Sequence, residues 1–458
     1  MQFNLEFDPV LLARLQFAFT ISFHIIFPSF TIGVAAYIAT LEVMWARTGR
    51  NRYKNISRFW TKIFAVSFAM GVVSGLVLSY EFGTNWSRFT IATSNVIGPL
   101  MGYEVLTAFF LEASFLSILL FGGDRVPRWL HAFSAVAVAV GTSLSAFWIL
   151  SANSWMHTPA GHVIRDGIAY PVDWWAIVFN PSFPYRLAHM LNAAYLTAGF
   201  AILAIGARYV LAGKHVEEGR TMLRMAIGLM VVLAPLQLFI GDQHGLNTLE
   251  HQPIKIAAME GNWERGPADF EIFAWPDEKS ETNKFSISIP RAASLILTHR
   301  IDGVVPGLKD VPAKDRPPVK NVFFAFRIML AIGFFMIGTA LFGAWLWWKK
   351  KLFDTRWYLR VMSQCWWIGF VAVLAGWVVT ESGRQPWIVY GIMRTTDGIS
   401  PVPGASIATT LALFILVYGI VFGAGAYYIN RLINHGPEGE LIEAGDKAKG
   451  PLGGHHAL

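Results

Sequence analysis

The chain has 458 residues, of which 54% are hydrophobic and 15% charged, where a soluble domain carries about 25% charged residues. The apolar residues fall in long runs such as Val322 to Trp348, and a hydrocarbon core about 30 Å thick is crossed by about 20 apolar residues in a helix. Composition therefore excludes an ordinary soluble domain and predicts an all-α, polytopic membrane protein. The formal charge is +7, from 37 Lys and Arg against 30 Asp and Glu, and Cys365 is the single cysteine. One thiol excludes an internal disulfide, an iron–sulfur cluster held by cysteines, and the two thioethers of a c-type haem.

Met1 to Pro9 contains Glu6 and Asp8 but no Lys or Arg, so the charged n-region of a secretory signal is missing and the first apolar run is expected to stay. Nine transmembrane helices are predicted at 15–43, 62–80, 96–121, 130–152, 187–212, 221–240, 322–348, 361–380 and 404–430. The chain divides accordingly into helices one to six (1–240), a long external loop (241–321), helices seven to nine (322–430) and a tail (431–458). Basic residues cluster after helices one, three, five and seven: Arg47, Arg50, Arg52, Lys54 and Arg58; Arg125 and Arg128; Lys214 and Arg220; and Lys349, Lys350, Lys351, Arg356 and Arg360. Positively charged short loops stay in the cytoplasm, which sets the N-terminus outside and the C-terminus inside. The positive charge thus reads as topology in a lipid bilayer and not as nucleic-acid binding.

The connection from Gly241 to Asn321 is far longer than the others. Structureless loops beyond about 15 residues are uncommon, and Trp263, Phe273, Trp275 and Phe285 lie among its prolines and charges. A folded external lid is expected. The tail, rich in Gly and charge and carrying His455 and His456, reads as a solvated end, not a metal site.

Ionisable groups inside a span are costly unless paired, which makes each a functional candidate. His24 and His189 fall within spans and His131 at an edge; the acids are Glu104, Glu112 and Glu381, the bases Arg14 and Arg327. With the topology above, His24, Glu104, His189, Arg327, Met329 and Glu381 all lie in the outer half. A His with a Met fills both axial positions of a haem iron and suits electron transfer, whereas one His or carboxylate leaves a face open to a gas. His189 with Met329 fits the first case, and His24 and Glu381 each fit the second. Against this, a lone buried histidine is more often a satisfied hydrogen-bonding residue, and a methionine in an apolar span is usually packing. Arg327, two residues from Met329, calls for an anion such as a haem propionate. Glu104 and Glu112 lie about 12 Å apart along one helix and about 80° apart around it. They share a broad stripe, not one ridge, and suit either a proton relay from the cytoplasm or helix packing. A proton-coupled transporter without haem would also place acids and histidines in its spans, but inverted repeats and midplane sites are not visible.

Five strings carry a resemblance: RLQFAFTISFH (Arg14 to His24), GTNW (Gly83 to Trp86), ETNKFSISIP (Glu281 to Pro290), FAFRIM (Phe324 to Met329) and GRQPW (Gly383 to Trp387). In this order they resemble subunit I of the cytochrome bd-type quinol oxidases, over residues 10 to 430. The resemblance implies that His189 and Met329 ligate a low-spin haem b with Arg327 beside it. His24 and Glu381 then serve two high-spin haems, with the assignment between them open. It further implies that Trp377 stands between haems and that Arg384 in GRQPW belongs to the cofactor site. Lys255 and Glu260 take the quinol-site positions, Asp242 is a weaker candidate there, and Glu104 and Glu112 deliver protons. The short connection from Leu308 to Phe323 places the chain with the short-loop branch, which includes oxidases called cyanide-insensitive. The implied cofactors are a low-spin haem b, a high-spin haem b, and haem d or a third haem b. The implied partners are a homologous subunit II and a small single-helix accessory subunit, with ubiquinol or menaquinol and oxygen as substrates. The expected activity is electrogenic quinol:oxygen oxidoreduction without a pump, in a bacterial cytoplasmic (inner) membrane.

Overall fold

A computed structural model describes residues 8–123 and 125–437; Glu6 in the N-terminal segment and the tail histidines His455 and His456 lie outside them. In chain order the principal elements are α1 (Pro9–Thr48), α2 (Asn51–Thr84), α3 (Ser87–Phe121), α4 (Arg128–His157), β1 (His162–Arg165), β2 (Ile168–Pro171), α5 (Trp174–Val178), α6 (Phe183–Ala212) and α7 (Val216–His251). The long segment that follows α7 holds α8 (Pro253–Glu260), β3 (Phe270–Asp277), β4 (Thr282–Ile289) and α9 (Ala292–Thr298). The chain continues with α10 (Val319–Trp348), α11 (Arg356–Ser382), β5 (Trp387–Val389), β6 (Met393–Arg394) and α12 (Gly404–His435). Among the described residues, nine of these helices are long and apolar enough to cross a membrane. The protein is a multi-pass membrane protein of all-α class; its strands form three two-stranded hairpins outside the helices.

The helices outrun the apolar segments that predict them, because hydropathy stops where polar side chains begin while the backbone stops only at a breaker. α7 is the clearest case. It continues past Gly241 through Asp242 and His244 to His251, and ends where Gln252 precedes Pro253, since proline disfavours the helical conformation in the residue before it. At the other extreme α1 is closed at both ends. Asp8 accepts a hydrogen bond from the Val10 amide at 2.9 Å, and Gly49 takes the left-handed conformation at φ 67° that terminates helices.

α6 is the axis of the molecule: 72% of its most apolar stretch is buried, against 17–33% for the other eight helices. Close approach explains this. A Cβ on Gly33 of α1 would stand 2.4 Å from Ala198 Cβ and 2.7 Å from the Ala194 carbonyl of α6, so small residues let the two backbones meet. Two groups of four helices meet at α6, which belongs to the second. α1, α2, α3 and α4 pack in sequence, with α12 against α1 and α2; α6, α7, α10 and α11 close a second bundle. The segment between α7 and α10 is folded. Its β3–β4 hairpin packs on α10, and Trp263, Ala268, Leu297, Val305 and Leu308 share a buried cluster with Val322 of α10 and Val379 of α11.

Candidate functional site

In the second bundle, His189 projects from α6 and Met329 from α10. Each faces a glycine of a neighbouring helix: a Cβ on Gly241 of α7 would lie 3.4 Å from His189 Cε1, and one on Gly376 of α11 would lie 3.0 Å from Met329 Sδ. The His189 Nδ1 is buried without a hydrogen-bond partner. The alternative of a satisfied core histidine therefore fails at that nitrogen. His244, on α7 beside Asp242, packs its ring 5.4 Å from that of His189. Trp377 follows Gly376 and reaches out of this bundle, its ring 6.5 Å from Phe17 of α1, which lies 6.2 Å from Trp86. His24, further along α1, places Nδ1 3.0 Å from Ser74 Oγ and Cε1 3.2 Å from where a Gly75 Cβ would be.

At the end of the helices that carries the long segment lies a buried ionic cluster. Glu381 accepts a hydrogen bond from Asn153 Nδ2 at 2.9 Å, lies 3.3 Å from His157 Nε2, and pairs through its other oxygen with Arg384. Arg186 donates to Asn153 Oδ1, and Lys255 Nζ stands 3.2 Å from His157 Nδ1. Burial, reinforced by the Arg186 and Arg384 charges against the pull of Glu381, holds Lys255 well below the ordinary lysine range. The cluster therefore sets two guanidinium groups against one carboxylate, and three N–H sites remain without acceptors: Arg186 Nε, and Arg384 Nε and Nη1. Unsatisfied buried donors of a cation are expensive. They fit an anionic group of a bound cofactor, such as a propionate.

Arg327, expected beside an anion such as a propionate, pairs in the structure with a carboxylate of the chain itself. Its Nη2 donates to Glu260 Oε2 at 3.0 Å, its Nε to the Glu271 carbonyl at 2.5 Å and its Nη1 to the Met259 carbonyl at 3.3 Å. Phe270, Phe323 and Phe326 surround the guanidinium. All three nitrogens are thus occupied by the external segment, and Arg327 is a clasp holding α8 and β3 to α10. Burial raises the Glu260 carboxyl, and the adjacent Arg327 charge counters it. Lys255 and Glu260, both on α8, accordingly face different partners: Lys255 the Glu381 cluster, Glu260 the Arg327 clasp.

The α3 carboxylates also differ from expectation. Residues Val105–Phe109 form a π turn inside α3, and a π turn holds more residues than an α turn, so it removes part of the angle between Glu104 and Glu112. Both then face α4. Ser145 donates to Glu104 Oε1 at 2.7 Å, and a Cβ on Gly141 would lie 2.7 Å from Glu112 Cγ; Gly141 and Ser145 are four apart and share a helix face. The pair forms one ridge, and Glu112 Oε1 is buried with no partner. Farther along α4, at its opposite end from the Glu381 cluster, His131 Nδ1 lies 2.8 Å from Glu42 Oε2 while Ser57 donates to Glu42 Oε1.

Several of these residues escape sequence reasoning. Asn153, His157 and Arg186 lie just beyond the ends of their apolar segments, and Glu42 and Glu81 sit at segment ends where a carboxylate reads as interfacial. The four-residue spacing of Asn153 and His157 is the one signal that could have joined the pair.

Fold and site together define a class: a multi-pass helical membrane protein with buried imidazole, thioether and carboxyl groups and surplus cationic donors, suited to redox cofactors. Comparison narrows this to a family. Residues 12–437 match the family described as cytochrome bd terminal oxidase subunit I. The chain is 36% identical to cytochrome bd ubiquinol oxidase subunit 1 of Bacillus subtilis (strain 168), over 94% of both chains. It is 30% identical to cytochrome bd-II ubiquinol oxidase subunit 1 of Escherichia coli (strain K12), over 97% of this chain and all of that one. The solved bd oxidase of Geobacillus thermodenitrificans superposes with a TM-score of 0.87 at 31% identity, covering 94% of this chain and 100% of that one. The chain belongs to the cytochrome bd terminal oxidase subunit I family.

Proposed function

We propose that the chain works as follows. It is a respiratory terminal quinol oxidase subunit, a quinol:oxygen oxidoreductase with haem cofactors. The transporter alternative is not supported. The observation that carries the site is the pairing of a free-nitrogen imidazole with a thioether in the α6–α7–α10–α11 bundle, each against a glycine. His189 and Met329 would hold a low-spin haem b, and His24 and Glu381 would serve a high-spin haem b and a haem d or third haem b. When bound, haem supplies one-electron storage and, where an axial position is open, oxygen binding.

The protein's own groups do the rest. Arg186 and Arg384 orient the cofactor through their unpaired donors, which support a propionate site better than Arg327 does. Glu381, which has Asn153 and His157 on one oxygen and Arg384 on the other, would serve its haem from within this network. Lys255, its amine held below the ordinary lysine range by burial, accepts a proton from the quinol hydroxyl, while Glu260 and Arg327 keep α8 in position. Trp377 and Phe17 supply aromatic contact between the two bundles. Protons for oxygen reduction travel inward from the cytoplasm along one face of α4: the Glu42–His131–Ser57 group, then Glu112, then Glu104. Quinol protons leave on the outer side, with the N-terminus outside and the C-terminus in the cytoplasm, so turnover separates charge without a pump. A homologous subunit II and a small single-helix subunit complete the assembly in the bacterial cytoplasmic membrane. A reduced-minus-oxidised spectrum of the purified complex tests the core of this reading. His189→Ala and Met329→Leu should each lose the low-spin haem signal first; its retention in both would remove the ligand assignment.

A further inference from the structure

α1 and α2 face one another along two polar ridges. On α1, Gln16, Thr20 and His24 recur every four residues and share a face; on α2, Ser74 and Glu81 lie seven residues apart and share another. The ridges meet where His24 contacts Ser74 and, farther toward the external segment, where Glu81 faces Thr20. α12 closes the third side. Tyr418 packs 5.4 Å from Phe19 and 5.5 Å from Phe23 and faces Glu81, while the Thr410 hydroxyl donates to Gln16 Oε1 at 3.2 Å.

This corner is built but unsatisfied. Glu81 is 1% exposed, and neither of its carboxylate oxygens has a hydrogen-bond donor. Thr20 is no substitute, because its hydroxyl donates to the Gln16 carbonyl at 3.0 Å. The Tyr418 hydroxyl is equally buried and has no acceptor; the same is true of Asn85 Nδ2 and Trp86 Nε1 at the end of α2. A buried acid without donors beside buried donors without acceptors is a place for an exchangeable proton and ordered water.

We propose that Glu81, with the unpaired Tyr418 hydroxyl beside it, is a redox-linked proton site for the haem that His24 would hold. The inference rests on the reading of His24 as an axial ligand. Adding one electron to a buried ferric iron removes one positive charge from a low-dielectric medium. The Glu81 carboxylate takes one proton with that electron and releases it when the electron leaves, so the buried charge stays constant. The proton exchanges with water at the external end, past Thr20, Gln16 and Thr410. This role is separate from that of Glu112 and Glu104, whose protons are consumed in making water. The titratable group facing Glu81 is Tyr418 from α12; His24 lies one turn beyond Thr20 along α1, against Ser74. Arg14, Tyr80 and Arg88, near it in the fold or sequence, are exposed.

Redox-induced infrared difference spectra of the purified oxidase test this directly. The wild-type complex should show a carboxylic C=O band that appears on reduction, disappears in Glu81→Gln and moves in Tyr418→Phe. The redox equilibrium of the His24-dependent haem should also change about tenfold per pH unit where Glu81 titrates, and lose that slope in Glu81→Gln. An unchanged band and slope in Glu81→Gln with haem content intact would overturn the proposal. If Glu81→Gln loses haem, an unmoved band in Tyr418→Phe does the same. Retention of both high-spin haem signals in His24→Ala would instead overturn the ligand reading beneath it, which separates the two failures.

Discussion

The cluster around Glu381 and the carboxylate ridge of α3 are both buried acidic sites lying along α4, and they are built in opposite ways. Glu381 has Asn153, His157 and Arg384 on its two oxygens, within a shell of cations that outnumber it. Glu112 has no partner on Oε1 and an apolar helix face around it. A carboxylate fixed by several partners keeps its charge and its place; one without partners can change its protonation without tearing a network. The first arrangement suits holding a cofactor and the second suits passing a proton. Both lie on the same helix, since Asn153 and His157 serve the first and Gly141 and Ser145 the second.

The largest effect should come from breaking the partnered site. Glu381→Ala leaves Arg186 and Arg384 buried without their anion, a change that costs about 3–5 kcal/mol when one member of a buried pair is removed. The purified variant should unfold at a markedly lower temperature and lose haem. Glu112→Gln should do the reverse. With no hydrogen bond at Oε1 to forfeit, its stability should stay within about 0.5 kcal/mol of wild type, while oxygen consumption falls at least about tenfold, or about 1.4 kcal/mol of barrier. If Glu112→Gln were the more destabilised of the two, the contrast between anchor and relay would be wrong.

A smaller effect separates Lys255 from the rest of the cationic shell. Because burial holds its amine below the ordinary lysine range, the unfolded chain binds more protons between the two values, and stability rises with pH across that window. The proposed role of Lys255 as the acceptor of a quinol proton gives the same sign in turnover: as pH falls through the depressed value, the amine gains a proton and its capacity to accept one is lost. The kcat/KM for quinol should therefore drop on the acid side, and Lys255→Met should lower the plateau and flatten that limb. An acid limb identical in Lys255→Met would assign it to another group.

The contrast also explains what was legible beforehand. The spans, the folded external segment and the residues His24, His189, Met329, Glu104, Glu112 and Glu381 stand out because a polar side chain in an apolar run is conspicuous. Asn153, His157 and Arg186 do not, because they lie where a helix leaves the hydrocarbon and polar residues are ordinary. Their burial is a tertiary fact, created when α4, α6 and α11 converge under α8. Arg327 shows the same limit in another form: its need for an anion can be read from its position, but the identity of that anion depends on how eighty-odd residues fold back. The π turn in α3 is invisible to a period of 3.6, so the single ridge of Glu104 and Glu112 reads as a stripe.

That ridge provides the finest test, through the two α4 residues that face it. Gly141→Ala adds a methyl group 2.7 Å from Glu112 Cγ, where the helix backbones leave little room to yield; overpacking of this kind costs about 1–3 kcal/mol. It should displace Glu112 and slow oxygen consumption several-fold without touching a titratable group. Ser145→Ala removes only the 2.7 Å hydrogen bond to Glu104, worth about 1 kcal/mol, and should produce the smallest loss of all. Ser145→Thr, which restores the hydroxyl, should recover the rate if orientation of Glu104 is what Ser145 contributes. Should Ser145→Ala instead match Glu104→Gln in its loss, the serine hydroxyl would itself be a member of the proton path.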